Sequence, residues 1–583
     1  MFRVEQVIEH RLPQIYAKPW LFKVTSAALK FLLHEKEFQD FEKQYPYVDG
    51  PDFVEHALRY FNFSYTVRES EKEHIPSHGR VVLIANHPIG SLDGLALLKM
   101  VHQIRPDVKV VANELLMTVS PLKSMVLPVY NMTGNTPKEN LENIQYHLKQ
   151  EGALIIFPAG EVSRLRPTGV KDPKWRGGFL RIAQQAKAPI VPICIQGKNS
   201  PLFYGMSILC KPISTLLLVK EMFRHANANI TIRIGELIPY ESYGKNKLGP
   251  SELVLRFKRH LYRVGKDRKG LFETLQPIAH PENRIVLKEA IQRCEHIGHT
   301  GDGKEIYLYR YHTSSPILRE LGRLREIAFR AVGEGTGQHR DIDAFDAYYE
   351  HLILWDKEQL EIAGAYRLGR CQSILKRYGQ TGLYTDSLFH FTQNMATYLK
   401  DGLELGRSFV QPQYWGQRSL DYLWYGIGAY LRQHPEIRYL FGPVTISNSM
   451  PKQAKDLLVY FYQLYFGSLN DLAASKSPYV LDQDIQELLR ASFSGQDYRQ
   501  DFQQLKHLLS NMNVSIPTLY KQYTELCEPG GVRFLAFGVD EDFNDSIDGL
   551  ALVDVQKIKA KKYQRYIANR ENQLLPQSAE RLR

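Results

Sequence analysis

The chain has 583 residues, a formal net charge of +11 and 44% apolar residues. That length exceeds one hydrophobic core and corresponds to roughly two to four domains of ordinary size. The positive charge calls for an anionic partner, whether nucleic acid, an anionic membrane face or an acidic carrier protein. No helix-turn-helix, finger or RNA-recognition pattern is present, which argues against nucleic acid. The five cysteines, Cys194, Cys210, Cys294, Cys371 and Cys527, lie far apart without a Cys-x-x-Cys pair. Reduced thiols are therefore expected, with neither a disulfide framework nor a metal site. No apolar run approaches the roughly 18 residues of a membrane span, because Lys211 and two prolines break the best stretch, 201–218. The N-terminus does not read as a secretion signal, so a cytoplasmic chain is expected.

In chain order, Tyr16 to Leu33 carries Trp20, Leu21, Phe22, Val24, Leu29, Phe31 and Leu32 with Lys18, Lys23 and Lys30 interspersed. That pattern suits a membrane-surface helix and, equally, a helix packed within a domain. Val81 to Ala85 is a short apolar run rich in β-branched residues, predicted as a buried strand, and Asn86-His87-Pro88-Ile89-Gly90-Ser91 interrupts it. Ser91 caps a predicted helix through Leu95, Ala96, Leu97, Leu98 and Met100. A carboxylate on one ring nitrogen fixes a histidine tautomer, so Asp93 could orient His87 to take a proton from a hydroxyl. Taken alone, the pair reads first as a histidine satisfied by a turn contact. A second apolar run, Ala153 to Phe157, empties into Pro158-Ala159-Gly160-Glu161-Val162-Ser163-Arg164. A glycine-entered helix over 177–183 and a third strand over 188–195 follow. The alternation predicts an α/β layer with its site at the strand ends.

Residues 79–196 resemble the glycerolipid acyltransferases, which transfer a fatty acyl group from acyl carrier protein or coenzyme A to a lysolipid hydroxyl. The resemblance rests on Asn86-His87 with Asp93, on Phe157-Pro158-Ala159-Gly160-Glu161 and on Val191-Pro192. It implies that His87 is the base and Asp93 its partner, with Asn86, Pro158, Gly160 and Glu161 at the acceptor. Departures from the family pattern are a fifth residue between His87 and Asp93, Ala159 and Glu161 in the third motif, and Tyr130-Asn131-Met132-Thr133-Gly134 where an arginine-bearing motif is usual. Without that phosphate-binding arginine, the expected acceptor is a lyso-aminolipid.

A boundary is expected near Pro277 to Asn283, after a basic helical stretch over 253–269, giving domains 1–280 and 281–583. Beyond it, strands are predicted at 306–311, 359–368 and 403–410, with helices at 318–330 and through Leu420, Leu423, Trp424, Ile427 and Tyr430. The block 467–515 reads as mostly helical, 530–540 as a late strand, and 543–548 as a turn before Leu550 to Val553.

The span 300–550 resembles the N-acetyltransferase-like fold, in the branch of acyl-homoserine-lactone synthases and ornithine N-acyltransferases. The residues carrying this are Phe329-Arg330, Arg340 to Asp343 with Phe345-Asp346, Gly364 to Arg367, Glu404 to Ser408 and Phe441-Gly442. It implies Glu404 as the acceptor of an ammonium proton, with Arg367, Arg407, Asp343 and Asp346 at the amino-acid substrate. Competing readings stay open: a cross-strand salt bridge for Glu404 and Arg407, and helix caps for Asp343 and Asp346. Gln413 to Arg418 begins a coenzyme-binding pattern but ends it with Arg418, where a side chain obstructs backbone approach. Acyl carrier protein is therefore the expected donor, with acyl-coenzyme A the second choice and no bound cofactor.

The expected fold is an αβ glycerolipid-acyltransferase-type domain followed by an α+β N-acetyltransferase-like domain. The expected function is ornithine-lipid (aminolipid) synthesis: N-acylation of ornithine or a related amino acid with a 3-hydroxyacyl group, then O-acylation of the lyso-aminolipid. The location would be peripheral, on the inner face of a bacterial cytoplasmic membrane. The alternatives are a lysophospholipid acyltransferase with an accessory C-terminal domain and a carrier-binding protein without turnover.

Overall fold

The computed structural model describes residues 4–5, 19–32, 34–113, 116–117, 119–129, 137–166, 169–209, 211–244, 248–313, 315–468 and 471–568. Tyr130 to Gly134, the departure from the second motif, lies outside them, as do Tyr16, Lys18 and Leu33. The chain divides into two compact units, Met1–His280 and Pro281–Arg583.

The first unit contains β1 (Ser64–Thr66), β2 (Val81–Ala85), β3 (Lys109–Asn113), β4 (Val126–Val129), β5 (Ala153–Ile156), β6 (Arg164–Arg166), β7 (Gly169–Lys171), β8 (Ile190–Gln196) and β9 (Asn229–Ile234). Seven of these form one sheet in the order β1-β9-β8-β2-β5-β3-β4, and β6 pairs with β7. Within the sheet only β8 and β9 pair antiparallel. All five residues of β2 are buried, as a central parallel strand covered on both faces requires. Val81, Leu83 and Ala85 pack with Leu92, Ala96 and Leu97 of helix Ser91–His102. Val82 and Ile84 pack with Phe179, Leu180 and Ala183 of helix Gly178–Ala186 on the other face. The candidate residues thus follow the carboxyl ends of adjacent strands. The N-terminal helix is observed over Pro19–Leu32. Its Trp20 is 70% and its Val24 64% exposed.

The second unit contains β10 (Glu295–His299), β11 (Glu305–Arg310), β12 (Glu350–Asp356), β13 (Glu361–Arg370), β14 (Phe389–Phe391), β15 (Gly402–Val410), β16 (Tyr439–Ile446), β17 (Ala473–Ser475), β18 (Val532–Asp540) and β19 (Ser546–Asp554). Eight form a sheet in the order β10-β11-β12-β13-β15-β16-β19-β18. Every pair in it is antiparallel except β15 with β16. Helices Ser419–Gln433 and Lys452–Phe466 cover one face, through Leu423, Trp424, Leu458 and Phe461. Helix Pro316–Ala331 covers part of the other, with Leu321, Leu324 and Phe329 against Ile353, Trp355 and Phe409.

Among the strands not expected, two lie in the middle of the large sheet: β12, whose five central residues are buried, and β16. A short run buried on both faces shows no alternation to mark it as a strand. The turn expected over 543–548 ends earlier. Asn544 and Asp545 adopt positive φ (58° and 54°), and β19 begins at Ser546. The parallel pairing of β15 with β16 covers only Gly402 to Glu404 against Tyr439 to Phe441, after which the two strands are no longer hydrogen-bonded to each other. Gly442 sits at that point, where a Cβ would stand 1.9 Å from the Leu405 carbonyl oxygen. A register shift between β13 and β15 accompanies Arg407 at φ 47°, a β-bulge in the same stretch.

Candidate functional site

In the first unit, His87 lies two residues beyond β2. Its Nδ1 is 2.8 Å from Asp93 Oδ1; the histidine side chain is 21% exposed and that of Asp93 0%. The two groups therefore stand at ion-pair distance. Asp93 stands at the third position of helix Ser91–His102, and its carboxylate accepts the Ile89 N–H (2.8 Å) and the Gly90 N–H (3.3 Å). The loop and the orienting carboxylate are thereby locked together, with Gly90 at φ 125°. Phe157 lies on the imidazole, with ring centroids 4.3 Å apart. Burial alone would lower the histidine pKa, and Asp93, joined by Asp172, outweighs it and raises the pKa above the ordinary value. With Nδ1 turned to Asp93, Nε2 is the nitrogen left for a substrate hydroxyl.

Gly160 follows β5 at φ 66°, and its N–H donates to the Phe157 carbonyl (3.0 Å). Pro158 accepts the Arg176 N–H through its carbonyl (2.9 Å). Glu161 lies 3.5 Å from Arg164. Asn86 occupies a different place from that expected of a substrate ligand. Its Nδ2 donates to the Ile195 carbonyl (2.8 Å) and its Oδ1 accepts the Ile195 N–H (2.7 Å). This buried amide ties the end of β2 to β8, which fixes where His87 begins. Asp172, missed in the sequence, braces the same loop. It accepts the His87 N–H (3.3 Å), the Ser163 hydroxyl (2.5 Å) and the Trp175 indole N–H (2.9 Å). Asp172-Pro173-Lys174-Trp175 carries no spacing that ties it to His87, so only the folded chain shows the connection.

In the second unit, charged side chains form a buried lattice. Arg367 reaches Asp343 (2.6 Å) and Asp346 (3.1 Å). Arg325 also reaches Asp346 (2.9 Å), and Arg407 reaches Asp341 (3.1 Å) and Asp343 (3.5 Å). Burial alone would push the Asp346 carboxyl up, but the Arg325 and Arg367 guanidinia hold it well below the usual carboxylate range. Asp343 additionally caps the turn Ala344–Ala347, accepting the Phe345 N–H (3.0 Å) and the Asp346 N–H (3.2 Å). The capping reading therefore describes Asp343 and Asp346 better than ammonium binding, since their oxygens are already engaged. Glu404, expected to accept a proton, is engaged as well. It is 1% exposed and accepts the Thr385 N–H (2.6 Å), the Tyr384 N–H (3.2 Å) and the Tyr349 hydroxyl. Burial raises its pKa. Neither the proton-acceptor role nor the salt bridge with Arg407 matches this contact set, which anchors the segment carrying Tyr384. Arg407 donates to the Tyr384 hydroxyl (3.0 Å). Among the described residues no cluster of metal-ligating side chains is present.

The folds and sites define two acyl-transfer units in one chain. A family model described as "Acyltransferase" matches residues 15–247, and one described as "Acetyltransferase (GNAT) domain" matches residues 324–425. A glycine N(alpha)-acyltransferase of Bacteroides thetaiotaomicron is 31% identical over 308 residues, covering 50% of this chain and 90% of that protein. A lyso-glycine lipid O-acyltransferase of the same organism is 28% identical over 268 residues, 45% of this chain and 96% of that protein. An L-ornithine N(alpha)-acyltransferase of Brucella abortus is 31% identical over 142 residues, 22% of this chain and 49% of that protein. The chain belongs to the family of these amino-acid N-acyltransferases, fused to a unit of the lyso-lipid acyltransferase kind. It is an acyltransferase of the bifunctional aminolipid-synthase type.

Proposed function

We propose that the Pro281–Arg583 unit N-acylates a small α-amino acid, glycine in first place, with a 3-hydroxyacyl group, and that the Met1–His280 unit O-acylates the new hydroxyl. The observation that carries this is the presence in one chain of near-complete counterparts of a glycine N-acyltransferase and a lyso-glycine lipid O-acyltransferase. Ornithine is the second reading, supported by a relative matched over 49% of its length.

In the O-acylation, His87 Nε2 takes the proton of the 3-hydroxyl while Asp93 holds the ring and stabilises the imidazolium. The alkoxide oxygen attacks the thioester carbonyl carbon, the C–S bond breaks, and the imidazolium returns the proton to the departing thiolate. Gly160, Pro158 and Glu161 are assigned to the acceptor side of this site. Fusion raises the effective concentration of the lyso-lipid for the second step.

Acyl carrier protein is the proposed donor. The net charge of +11 suits an acidic carrier. Arg418 is exposed at the start of helix Ser419–Gln433, where close backbone approach by a coenzyme pyrophosphate would favour glycine. Among the described residues no helix is long and apolar enough to cross a membrane. Exposed Trp20 and Val24 on helix Pro19–Leu32 support a peripheral position on an anionic cytoplasmic membrane face.

The test is mass spectrometry of lipids from a bacterial host that lacks aminolipids and expresses the chain. A phosphorus-free diacylated glycine lipid is expected, and His87→Ala should replace it with the monoacylated amino acid. A lipid extract that differs from the empty-vector control only in phospholipids would overturn the proposal.

A further inference from the structure

With Glu404 engaged by Tyr349, Tyr384 and Thr385, another group must take the ammonium proton in N-acyl transfer. Beyond Glu404 and Phe441 the paired edge of β15 and β16 ends, and the next strand, β19, continues beside β16 to its last residue. Strand alternation places Ser546, Asp548, Leu550 and Leu552 on one face of β19. Leu550 and Leu552 pack with Tyr349 and Phe441, so this is also the face on which Tyr349 meets Glu404.

Asp548 is 3% exposed. One of its oxygens accepts the Thr445 hydroxyl (2.8 Å), and no hydrogen bond reaches the other from a described residue. Asp540, across from Ser546 in the register of β18 with β19, accepts the Tyr384 hydroxyl (3.4 Å). Ser546 Oγ is an independent sign that this place is built for a ligand. Its residue is 0% exposed, yet the hydroxyl has no hydrogen-bond partner among the described residues. A buried polar atom in that state is costly unless something else satisfies it.

We propose that Ser546, Asp548 and Asp540, with Tyr384 at their edge, form the binding site for the acceptor's α-ammonium, and that Asp548 takes its proton. This rests on the N-acyltransferase reading above. The ammonium gives one proton to the Asp548 carboxylate, and the freed lone pair attacks the thioester carbonyl carbon. The C–S bond breaks as the oxyanion collapses, the thiolate takes the second nitrogen proton, and Asp548 releases the first to solvent. Burial first, and Asp540 second, push the Asp548 carboxyl up to about 7, a value suited to a base near neutral pH. The groups that set this environment are Asp540 on β18, Thr445 on β16, Arg407 on β15, Tyr384, Tyr520 and Glu334. Glu334 is itself raised to about 8, by burial first and then by Asp548.

The test uses the purified full-length chain with glycine and a 3-hydroxyacyl thioester of acyl carrier protein, and follows N-acylglycine across pH. The wild-type rate should fall as pH drops through about 7. Asp548→Asn should lower kcat about 100-fold or more and remove that acid limb, while O-acylation of a synthetic lyso-lipid stays at the wild-type rate. A folded Asp548→Asn chain with near-normal kcat and an intact acid limb overturns the assignment. A purpose confined to structure would not move the limb. If Asp548→Asn does not fold, Asp548→Glu decides: a slowed rate with a displaced limb supports the site, and an unmoved limb overturns it. A wild-type chain that N-acylates no amino acid at all removes the parent reading and this one together, and is distinguished by the absence of any product before mutation.

Discussion

The two units place charged groups beside an acyl-transfer site in different ways. At His87 the charge is one local dyad, six positions apart in sequence and set by one loop and the first turn of one helix. In the second unit, Arg325 from a helix, Asp341, Asp343 and Asp346 from a loop and turn, Arg367 from β13 and Arg407 from the bulge of β15 form one connected lattice. The dyad can lose its partly exposed histidine and leave the fold standing. A buried lattice cannot lose a member in this way, because removing one charge leaves its partners unpaired in a low dielectric.

The largest expected effect is at the dyad. His87→Ala should reduce O-acylation by about 10² to 10⁴-fold, with no comparable fall in thermal stability, and monoacylated amino acid should accumulate in the lipid extract. A lattice substitution should show the reverse pattern. Arg367→Met leaves Asp343 and Asp346 short of their shared cation, at a cost of about 3 to 5 kcal/mol in the second unit. Denaturant unfolding with separate N- and O-acylation assays would show whether only the second unit fails. Equal loss of both activities would break the contrast. A smaller loss is expected for Asn86→Ala, which removes both hydrogen bonds to Ile195 and leaves buried backbone groups unsatisfied, worth about 1 to 3 kcal/mol. Its signature is a lowered unfolding midpoint together with reduced O-acylation, whereas a substrate ligand would change KM at constant stability.

The same contrast explains what was legible in the sequence. The strands flanking the His87 loop are apolar runs ended by proline, glycine and asparagine, so β2, β5 and β8 and the dyad between them could be read from local pattern. Asp172 could not, because its tie to His87 depends on how the β6–β7 hairpin folds back. In the second unit the lattice residues other than Arg325 were legible through their motifs, while their contacts were not; Arg325 carried no signal beyond its place in a predicted helix. Asp343 and Asp346 face arginines from β13 and a helix, and Glu404 faces backbone amides from Tyr384 and Thr385, all set by strand register across long separations. Strands β12 and β16 were missed because residues buried on both faces lose the alternation that marks a half-exposed strand. Without β16, the place where its pairing with β15 stops could not be located, nor could the carboxylates of β18 and β19 beyond it.

The finest separation of the two sites is their response to pH. His87 must be neutral to accept a proton, and its pKa is raised: burial opposes the charge, but Asp93 and then Asp172 more than offset burial. The O-acylation rate should therefore climb with pH through a midpoint above the ordinary histidine value. The stability linkage has the opposite sense. A histidine whose folded pKa is raised contributes stability that is complete below its unfolded pKa and is lost as pH rises through the folded pKa. Activity thus rises over the window in which the dyad's contribution to stability fades. Replacing Asp172 with asparagine removes the second of these charges; its one amide oxygen can still accept from the His87 N–H and Ser163, which share Oδ1, while the Trp175 indole N–H at Oδ2 loses its acceptor. The O-acylation midpoint should then move down, with the N-acylation profile unchanged, when both are followed from pH 5 to 9. A midpoint that stays where it was would mean that Asp93 alone sets the histidine, and a parallel shift in N-acylation would mean that the two sites titrate together.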